Sequence, residues 1–423
     1  MHVEIITVGD ELLLGFTVDT NAAFLARELA AAGVEVARHV TVGDDAADIQ
    51  AAVRESLDRT GAAITTGGLG PTSDDLTKPA ISQLFGRPLR MHEDLLVDLE
   101  ERFRQLGYKG GMPTGNRQQA LIPEGARVLR NTHGTAPGIF LEDDQGRWVA
   151  MLPGVPREMK GMASEELLPL LRDRTANIAE PPVVLSRTIR TTSIGESRLA
   201  ELLSNCAQTA AGIPVAYIPG WAGTDLRLTS RGRTRADAER ALETAAGEIA
   251  RHATRYTYGD GDVDLASVVL NLARKNGLRI ATAESCTGGM LGARLTAIPG
   301  ASDVFAGAIV AYQDSAKITL LDVRADDLEV HGAVSEEVAA QMAAGACRRL
   351  GADIGVGITG IAGPSGGTSE KPVGTVCIAI RVRDTLQTVG RRFVGDREEI
   401  RQRSCQAALD MIRRIIVSAE NNR

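Results

Sequence analysis

The amino-acid sequence predicts an α/β protein that is built from three domains. The chain has 423 residues, which is more than one ordinary hydrophobic core needs. Short apolar runs typical of buried strands alternate with segments whose apolar residues have helical spacing. Turn-rich stretches near residues 174–184 and 256–264 interrupt this alternation. Together these observations predict domains over residues 1–172, 173–260 and 261–423.

The composition excludes several classes of protein. Apolar residues make up 43% of the chain and charged residues 24%, which is ordinary for a globular protein in water. A net charge of -7 and an aromatic content of 3% argue against nucleic acid as a partner. No apolar run is long enough to span a membrane, and the first residues are typical of a buried strand rather than a signal peptide. Five scattered cysteines without a C-x-x-C pair predict a reducing, cytoplasmic location.

The first domain is predicted to contain a parallel sheet. Its strands are "VEIITVG", "AAITTGG" and "WVAMLPG", and a helix is predicted from Asn21 to Ala32. Strand, helix and strand at this spacing indicate right-handed crossovers in a parallel sheet. Ligands of such sheets bind at the carboxyl ends of the strands, where "GDELLLG", "GGLGPTSDD" and "LPGVPREM" fall.

These strand ends predict a phosphate and metal site. Backbone N–H groups of a glycine loop can approach phosphate oxygens, and Pro71 and Thr72 are expected to open the next helix. The candidate phosphate-binding residues are Gly67, Gly68, Gly70 and Thr72. Carboxylates nearby would suit a divalent cation that bridges a diphosphate, and the candidates are Asp10, Glu11, Asp74 and Asp75. In the alternative interpretation, Asp74 and Asp75 only complement the dipole of the following helix.

The second domain is predicted to be a small α+β unit. Residues from about 183 to 258 follow a strand, helix, strand, strand, helix pattern. The segment has no G-x-x-G clamp with basic flanks of the kind that binds nucleic acid. We therefore predict a spacer or a dimer contact.

The third domain is predicted to be a further α/β unit that ends in a long helix. Its strands are "RIATAES", "VFAGAIVAY", "DIGVGITG", "GTVCIAIRV" and "RRFVG". Ser285, Cys286 and Thr287 follow the first of these strands, and Gly288 and Gly289 permit a tight turn with exposed backbone donors. The alternative is that Ser285 or Thr287 only caps the next helix.

Other residues of this domain extend the candidate site. Tyr312 ends an apolar strand, and Lys317 follows at the start of a helix. A lysine that is desolvated there loses its proton more readily and can serve as a base for a serine, although a single lysine is more often a solvated surface residue. Thr359 and Gly360 are predicted to form a turn at the start of a glycine-rich loop, which offers donors to an oxyanion or phosphate unless it is a flexible surface loop. Arg397 opens a helix where a phosphate can bind.

Two other kinds of chemistry are less consistent with the third domain. A Cys286 nucleophile would need a histidine partner, and the only histidine here is His331, predicted to lie in a loop before a helix. The same shortage of histidines argues against a zinc-dependent hydrolase.

The motifs "TAESCTGG", "HGAVSEEVAAQMAAGA", "GITGIAGP", "KPVGTV" and "FVGDREEIR" occur in this order and resemble the CinA C-terminal domain, the nicotinamide mononucleotide (NMN) deamidase. The resemblance implies that NMN and water become nicotinic acid mononucleotide and ammonia without a cofactor. It also implies a Ser285 nucleophile with Lys317 and Tyr312 as partners. The candidate substrate-binding residues are Thr287, Gly288, Gly289, Thr359, Gly360 and Arg397.

The chain departs from this family before the lysine. The family has Ser-Asn after the tyrosine, whereas this chain has Gln313 and Asp314. Asp314 is expected to pair with Lys317 and to favour its charged form, which opposes the role of a base.

The motifs "VGDELLLG", "TTGGLGPTSDDLT", "NTHGTAPG" and "LPGVPREM" resemble the CinA N-terminal domain, which is similar to the molybdopterin-binding fold. This resemblance implies hydrolysis of ADP-ribose to AMP and ribose 5-phosphate with a divalent metal ion (Mg, Co or Mn). The alternative is a non-catalytic module that binds a pterin or a nucleotide.

The second domain resembles the small KH-like domain of the same family, and the resemblance implies a homodimer. The family name refers to competence and DNA damage, so a regulatory protein that binds partners is the competing class.

Overall fold

The structure, a computed structural model, describes residues 1–105, 107–108, 110–175, 182–206 and 211–421. It confirms an α/β fold. The chain divides into two compact units, one of residues 1–185 with 230–239 and the other of residues 186–229 with 240–423. In the described ranges no helix is both long and apolar enough to cross a membrane.

In residues 1–105, 107–108 and 110–175, the N-terminal region contains eight strands and seven α-helices. The strands are β1 (His2–Val8), β2 (Glu35–Val42), β3 (Ala62–Thr66), β4 (Leu89–Met91), β5 (Leu121–Pro123), β6 (Arg127–Leu129), β7 (Gly138–Glu142) and β8 (Trp148–Leu152). The helices are α1 (Asp10–Leu13), α2 (Thr20–Ala31), α3 (Ala46–Thr60), α4 (Thr77–Leu84), α5 (Glu93–Gln105), α6 (Pro156–Met162) and α7 (Leu168–Thr175), with a π-helical turn at Ala163–Leu167.

Six of these strands form one sheet in the order β2-β1-β3-β8-β7-β6. β1, β3 and β8 are parallel, as the sequence predicted, and β2 is parallel to β1. β7 is antiparallel to β8, and β6 is antiparallel to β7. The turn from β7 to β8 covers only residues 143–147, too short for the crossover that a parallel pair requires. Side chains of β1 pack alternately against the two faces, Ile5 in the core beside α2 and Ile6 in the core beside α3. Helices therefore cover both faces and leave the strand ends for ligands.

The described residues of the middle region form a four-stranded sheet and two α-helices. Its elements are β9 (Val183–Thr191), α8 (Glu196–Leu202), β10 (Val215–Pro219), β11 (Thr224–Arg233), α9 (Arg235–Ala253) and β12 (Thr257–Asp260), and the strand order is β10-β11-β9-β12. Part of the turn-rich stretch at residues 256–264 is a strand, because β12 pairs with β9 and buries Tyr258. Most of the linker predicted near residues 174–184 lies outside the described residues.

Up to residue 421, where the description of the chain ends, the C-terminal region contains five strands and six α-helices. They are α10 (Leu265–Lys275), β13 (Ile280–Glu284), α11 (Met290–Thr296), β14 (Phe305–Val310), α12 (Asp314–Leu321), α13 (Ala325–His331), α14 (Glu336–Leu350), β15 (Ile354–Gly360), β16 (Thr375–Val382), β17 (Thr385–Arg392) and α15 (Arg397–Asn421).

The sheet of this region has the order β14-β13-β15-β16-β17. β13 runs parallel to both of its neighbours, and β16 and β17 are antiparallel additions. The strand predicted at "RRFVG" is placed too late, because β17 ends at Arg392; this edge strand is almost wholly exposed and therefore has little apolar pattern to detect. Ile280 of β13 packs in the core with α10 and α15, and Ala281 packs in the core with α14.

Candidate functional site

Three parallel strand ends form the C-terminal site. Glu284, the last residue of β13, is in register with Val310 of β14 and with Ile358 of β15. The chain continues this pairing past the strands, since Ser285 N donates to Ile358 O at 2.9 Å and Ala311 N donates to Glu284 O at 2.9 Å. The structure thus brings the segments that carry the predicted nucleophile and its partners to one edge of the sheet.

The serine turn, residues 285–289, connects β13 to α11. Gly288 and Gly289 have φ values of 60° and 90°, which glycine adopts without steric cost. Gly288 N donates to Ser285 O at 3.0 Å and closes the turn. Gly289 occupies the N-cap position of α11, so the alternative in which Ser285 or Thr287 caps this helix is wrong.

Glu284 supports this turn, and the sequence interpretation missed it. Its carboxylate is fully buried and accepts hydrogen bonds from Leu291 N at 3.0 Å, Gly292 N at 2.8 Å and Thr282 Oγ1 at 3.2 Å. The carboxylate satisfies N–H groups in the first turn of α11 and lies at the positive end of its dipole. A glutamate inside an otherwise apolar strand was the available signal, because a buried charge needs such partners.

Lys317 is buried, with 2% of its surface exposed, and pairs with Asp314 as predicted. Its Nζ atom lies 3.0 Å from Asp314 Oδ1 and donates to Tyr312 O at 3.3 Å. Among the described residues, no hydrogen bond joins Lys317 to Ser285.

Arg397 connects two of the site loops. Its guanidinium donates to Tyr312 OH at 2.9 Å and to Gly363 O at 2.6 Å. Tyr312 is 57% exposed. Its side-chain hydroxyl binds Arg397, whereas its backbone carbonyl oxygen accepts the hydrogen bond from Lys317. The catalytic role of Tyr312 and the substrate contact of Arg397 stay predictions.

Thr359 and Gly360 lie in β15 and not in a turn, which corrects their predicted setting. Thr359 Oγ1 donates to Ala333 O at 2.7 Å. A Cβ atom on Gly360 would lie 2.7 Å from Val376 Cγ2, so close packing against β16 requires this glycine. The glycine-rich loop begins after these residues.

The structure adds a reason to prefer Ser285 over Cys286. Burial raises the pKa of the Cys286 thiol to about 12, so the thiol keeps its proton at neutral pH. His331, predicted in a loop, is the last residue of α13. The short sequence signal there was ambiguous because α13 buries none of its residues.

The N-terminal candidate site is a cavity of about 400 Å³ at the carboxyl ends of β1, β3 and β8. Its wall includes most of the glycine loop, residues 67–75, together with Glu11 and Gly154. The parallel topology explains this placement, because the three strands end at one edge of the sheet.

Two of the glycine N–H groups that were predicted to bind phosphate already donate hydrogen bonds within the domain. Gly67 N donates to Leu152 O at 3.1 Å, and Gly70 N donates to Asp75 Oδ1 at 2.7 Å. A Cβ atom on Gly67 would lie 2.2 Å from Val8 O, so this glycine permits the close approach of two strands. The helix predicted to open at Pro71 and Thr72 instead begins at Thr77.

Asp75 closes the glycine loop. Besides the bond from Gly70, its carboxylate accepts hydrogen bonds from Thr72 N at 2.7 Å and Thr72 Oγ1 at 2.5 Å. Asp74 and Asp75 precede the N-cap residue of α4, Leu76, and therefore lie outside the first turn of that helix. The structure thus uses Asp75 to shape the loop.

Four carboxylates share one electrostatic environment at this cavity. The pKa of Asp44 is raised, mainly by burial and then by the charges of Asp10, Glu11 and Asp74. The Asp10 N–H group, which donates to Asp44 Oδ2 at 3.1 Å, acts in the opposite direction and lowers this pKa. In the described part of the chain, however, no three Asp, Glu, His or Cys side chains are placed to hold a metal ion. The metal site stays a prediction.

Asp44 was missed by the sequence interpretation, although a signal exists. The tetrapeptide "TVGD" occurs at residues 7–10 and again at residues 41–44. β1 and β2 are parallel neighbours with Thr7 opposite Thr41, so both aspartates follow adjacent strand ends. Glu158, another cavity residue, was also missed; its Oε2 atom accepts a hydrogen bond from Asn131 Nδ2 at 2.5 Å.

The fold and these sites define a multidomain α/β protein with a glycine-loop cavity in its first domain and a serine turn in its last. Family models match the chain in three consecutive ranges: a probable molybdopterin binding domain over residues 4–173, the damage-inducible protein CinA KH domain over residues 186–259, and the CinA C-terminal domain over residues 262–416.

Relatives match the chain over nearly its whole length. A CinA-like protein from Gemmatimonas aurantiaca is 55% identical over 98% of this chain and 96% of the relative. A putative competence-damage inducible protein from Clostridium novyi is 40% identical over 99% of each chain. A solved structure, the competence/damage inducible protein CihA from Agrobacterium tumefaciens, is 41% identical with a TM-score of 0.35 and covers 35% of this chain and 91% of that chain. The chain belongs to the CinA family.

Proposed function

We propose that the C-terminal domain is an amidase that converts NMN and water to nicotinic acid mononucleotide and ammonia. The observation that carries the proposal is the placement of Ser285 on a glycine turn, at the same sheet edge as the segment of the buried Lys317. The family resemblance supplies the substrate.

The chemistry follows from these groups. The Ser285 hydroxyl attacks the carboxamide carbon and passes its proton to a neutral Lys317 amine. When the tetrahedral intermediate breaks its C–N bond, Lys317 returns the proton to the leaving nitrogen, and ammonia departs. Water then attacks the acyl-serine ester, and its proton returns to the serine by the same lysine. The reaction requires a side-chain movement that joins Ser285 to Lys317, as is common when no substrate is bound.

Replacing the serine tests this proposal. We expect Ser285→Ala to abolish ammonia release from NMN, because no other side chain of the turn is a competent nucleophile. Cys286→Ala is the matched control and should keep most of the activity, since the thiol stays protonated. Full activity of the Ser285→Ala variant would show that the assignment is wrong.

A second function is supported by the N-terminal cavity. We propose that this domain hydrolyses ADP-ribose to AMP and ribose 5-phosphate, because a glycine loop beside clustered carboxylates suits a diphosphate with a divalent metal ion. Asp10, Glu11, Asp44 and Asp74 supply the negative charge that would attract such an ion. Since no three of these carboxylates converge in the described residues, we assign no reaction step to the metal.

The experiment is incubation of the protein with ADP-ribose, with and without Mg²⁺, Mn²⁺ or Co²⁺, followed by measurement of AMP. Metal-dependent AMP release supports the hydrolase. Tight binding without turnover would favour the module that binds a pterin or nucleotide, and inactivity on both substrates would favour the regulatory protein. Both proposed substrates arise from NAD breakdown, which fits a cytoplasmic enzyme. A homodimer is the oligomeric state that we propose.

A further inference from the structure

One face of α15 contacts three loops of the C-terminal site. Arg397 and Arg401 are four residues apart and therefore lie on the same face of the helix. Arg397 binds the tyrosine segment and the glycine-rich loop through Tyr312 OH and Gly363 O. Arg401 binds the serine turn, because its Nη2 atom donates to Thr287 O at 2.9 Å.

The contact of Arg401 with the serine turn is itself held in place. Arg401 Nη1 pairs with Glu398 Oε2 at 3.0 Å, one turn earlier on the same helix. A Cβ atom on Gly288 would lie 3.7 Å from Arg401 Nη2, so the guanidinium lies alongside the turn as well as against its carbonyl oxygen. Three-quarters of the Arg401 side chain is buried, with 26% exposed.

The serine turn needs an external support of this kind. Two of its five residues are glycines, which have the largest conformational freedom of any residue. The Thr287 carbonyl accepts only one backbone hydrogen bond among the described residues, from Met290 N at 3.2 Å. The bond from Arg401 therefore adds a charged donor at the centre of the turn, two residues after the nucleophile.

We propose that Arg401 is a positioning residue that holds the serine turn, and with it Ser285, in the geometry that amide attack requires. The inference rests on the proposed amidase function. Arg401 contacts the backbone of the turn, so its loss should slow the chemical step and leave substrate affinity nearly unchanged. This distinguishes Arg401 from a phosphate ligand, whose loss would raise KM.

The test compares Arg401→Ala, Arg401→Lys and the control Gln402→Ala in the full chain, with kcat and KM measured for NMN. Gln402 lies beside Arg401 and also bonds to Glu398, but none of its contacts in the described residues reaches the turn. We expect Arg401→Ala to lower kcat by roughly 10-fold to 100-fold, the cost of a small misplacement of a reacting group, with KM within about twofold. Arg401→Lys should recover part of kcat, because it restores a cationic donor.

An unchanged kcat in Arg401→Ala would overturn the proposal, whether or not KM rises. A large fall in melting temperature that accounts for the lost activity would also overturn it. The labelling rate of Ser285 by a fluorophosphonate probe separates this inference from the proposed function. If the unmodified protein does not deamidate NMN, the amidase proposal fails, but slower labelling in Arg401→Ala would still support the positioning role. Equal labelling of both proteins would contradict it.

Discussion

The two candidate sites lie at the carboxyl ends of parallel strands, yet their charges are organised in opposite ways. The N-terminal cavity gathers carboxylates of like charge, and Asp44 holds its proton more strongly because of its burial and its neighbours. The C-terminal site pairs opposite charges, Lys317 with Asp314, and directs arginines to backbone oxygens. The first arrangement favours a cation from solution, whereas the second is complete within the chain.

Removal of metal ions should affect the two sites most differently. We expect a chelator such as EDTA to lower ADP-ribose hydrolysis by at least roughly 100-fold, because a metal ion contributes several kcal/mol to charge stabilisation. NMN deamidation measured in the same sample should stay constant, since the serine and lysine need no ion. Equal sensitivity of both reactions to the chelator would contradict the contrast drawn between the sites.

The pairing of Lys317 with Asp314 leads to a prediction of intermediate size. Asp314 Oδ1 lies 3.0 Å from Lys317 Nζ, so this ion pair holds the amine that must take the proton from Ser285. At a fixed pH, Asp314→Asn should raise kcat for NMN by roughly fivefold, the rate equivalent of the ~1 kcal/mol that such an ion pair contributes. Asp326→Asn, on the exposed first turn of α13, is the control and should leave kcat unchanged. An unchanged kcat in Asp314→Asn would argue that the ion pair does not restrain the base.

The smallest expected effect concerns stability at the acidic cavity. The pKa of Asp44 is raised in the folded protein, so its ionised form opposes folding at pH above that pKa. Asp44→Asn should raise the free energy of unfolding of the N-terminal unit at neutral pH. This gain should vanish as the pH falls from the pKa of Asp44 in the folded protein to its pKa in the unfolded chain, because the carboxyl is then protonated in both states. Because Asp44 is partly exposed, the gain should be about 0.5 kcal/mol or less.

Thermal unfolding at several pH values measures this effect, with Asp98→Asn on the exposed face of α5 as the control. Added Mg²⁺ or Mn²⁺ should reduce the difference between the two proteins, since a bound cation relieves the repulsion. A destabilised Asp44→Asn protein at pH 7 would contradict the prediction and indicate that the carboxylate has a favourable partner.

Much of the architecture could be predicted from local patterns. Short continuous apolar runs located β1, β3, β8, β13 and β15, because strands buried on both faces are apolar at nearly every position. The same logic located the sites, since residues after neighbouring parallel strands must meet at one edge. Edge elements escaped this approach: β17 is nearly all exposed, and β12 is short and rich in polar residues.

Contacts between distant segments could not be predicted in the same way. The N–H groups of Gly67 and Gly70 appeared free in the sequence, but Leu152 O and the Asp75 carboxylate bind them. Arg401 closes the motif "FVGDREEIR", but the motif does not show what this side chain contacts. Only the packing of α15 against the serine turn reveals its contact with Thr287.

Local patterns in the sequence established the α/β class, the positions of the central strands along the chain, the family, and Ser285 and Lys317 as candidates. Periodicity and local motifs carry this information because strands and turns depend on neighbouring residues. Only the tertiary structure shows that the glycine-loop N–H groups are already hydrogen-bonded, that Asp44 joins the acidic cluster, and that α15 contacts the serine turn. Those facts depend on which distant groups satisfy one another's hydrogen bonds and charges, and sequence spacing does not encode such pairings.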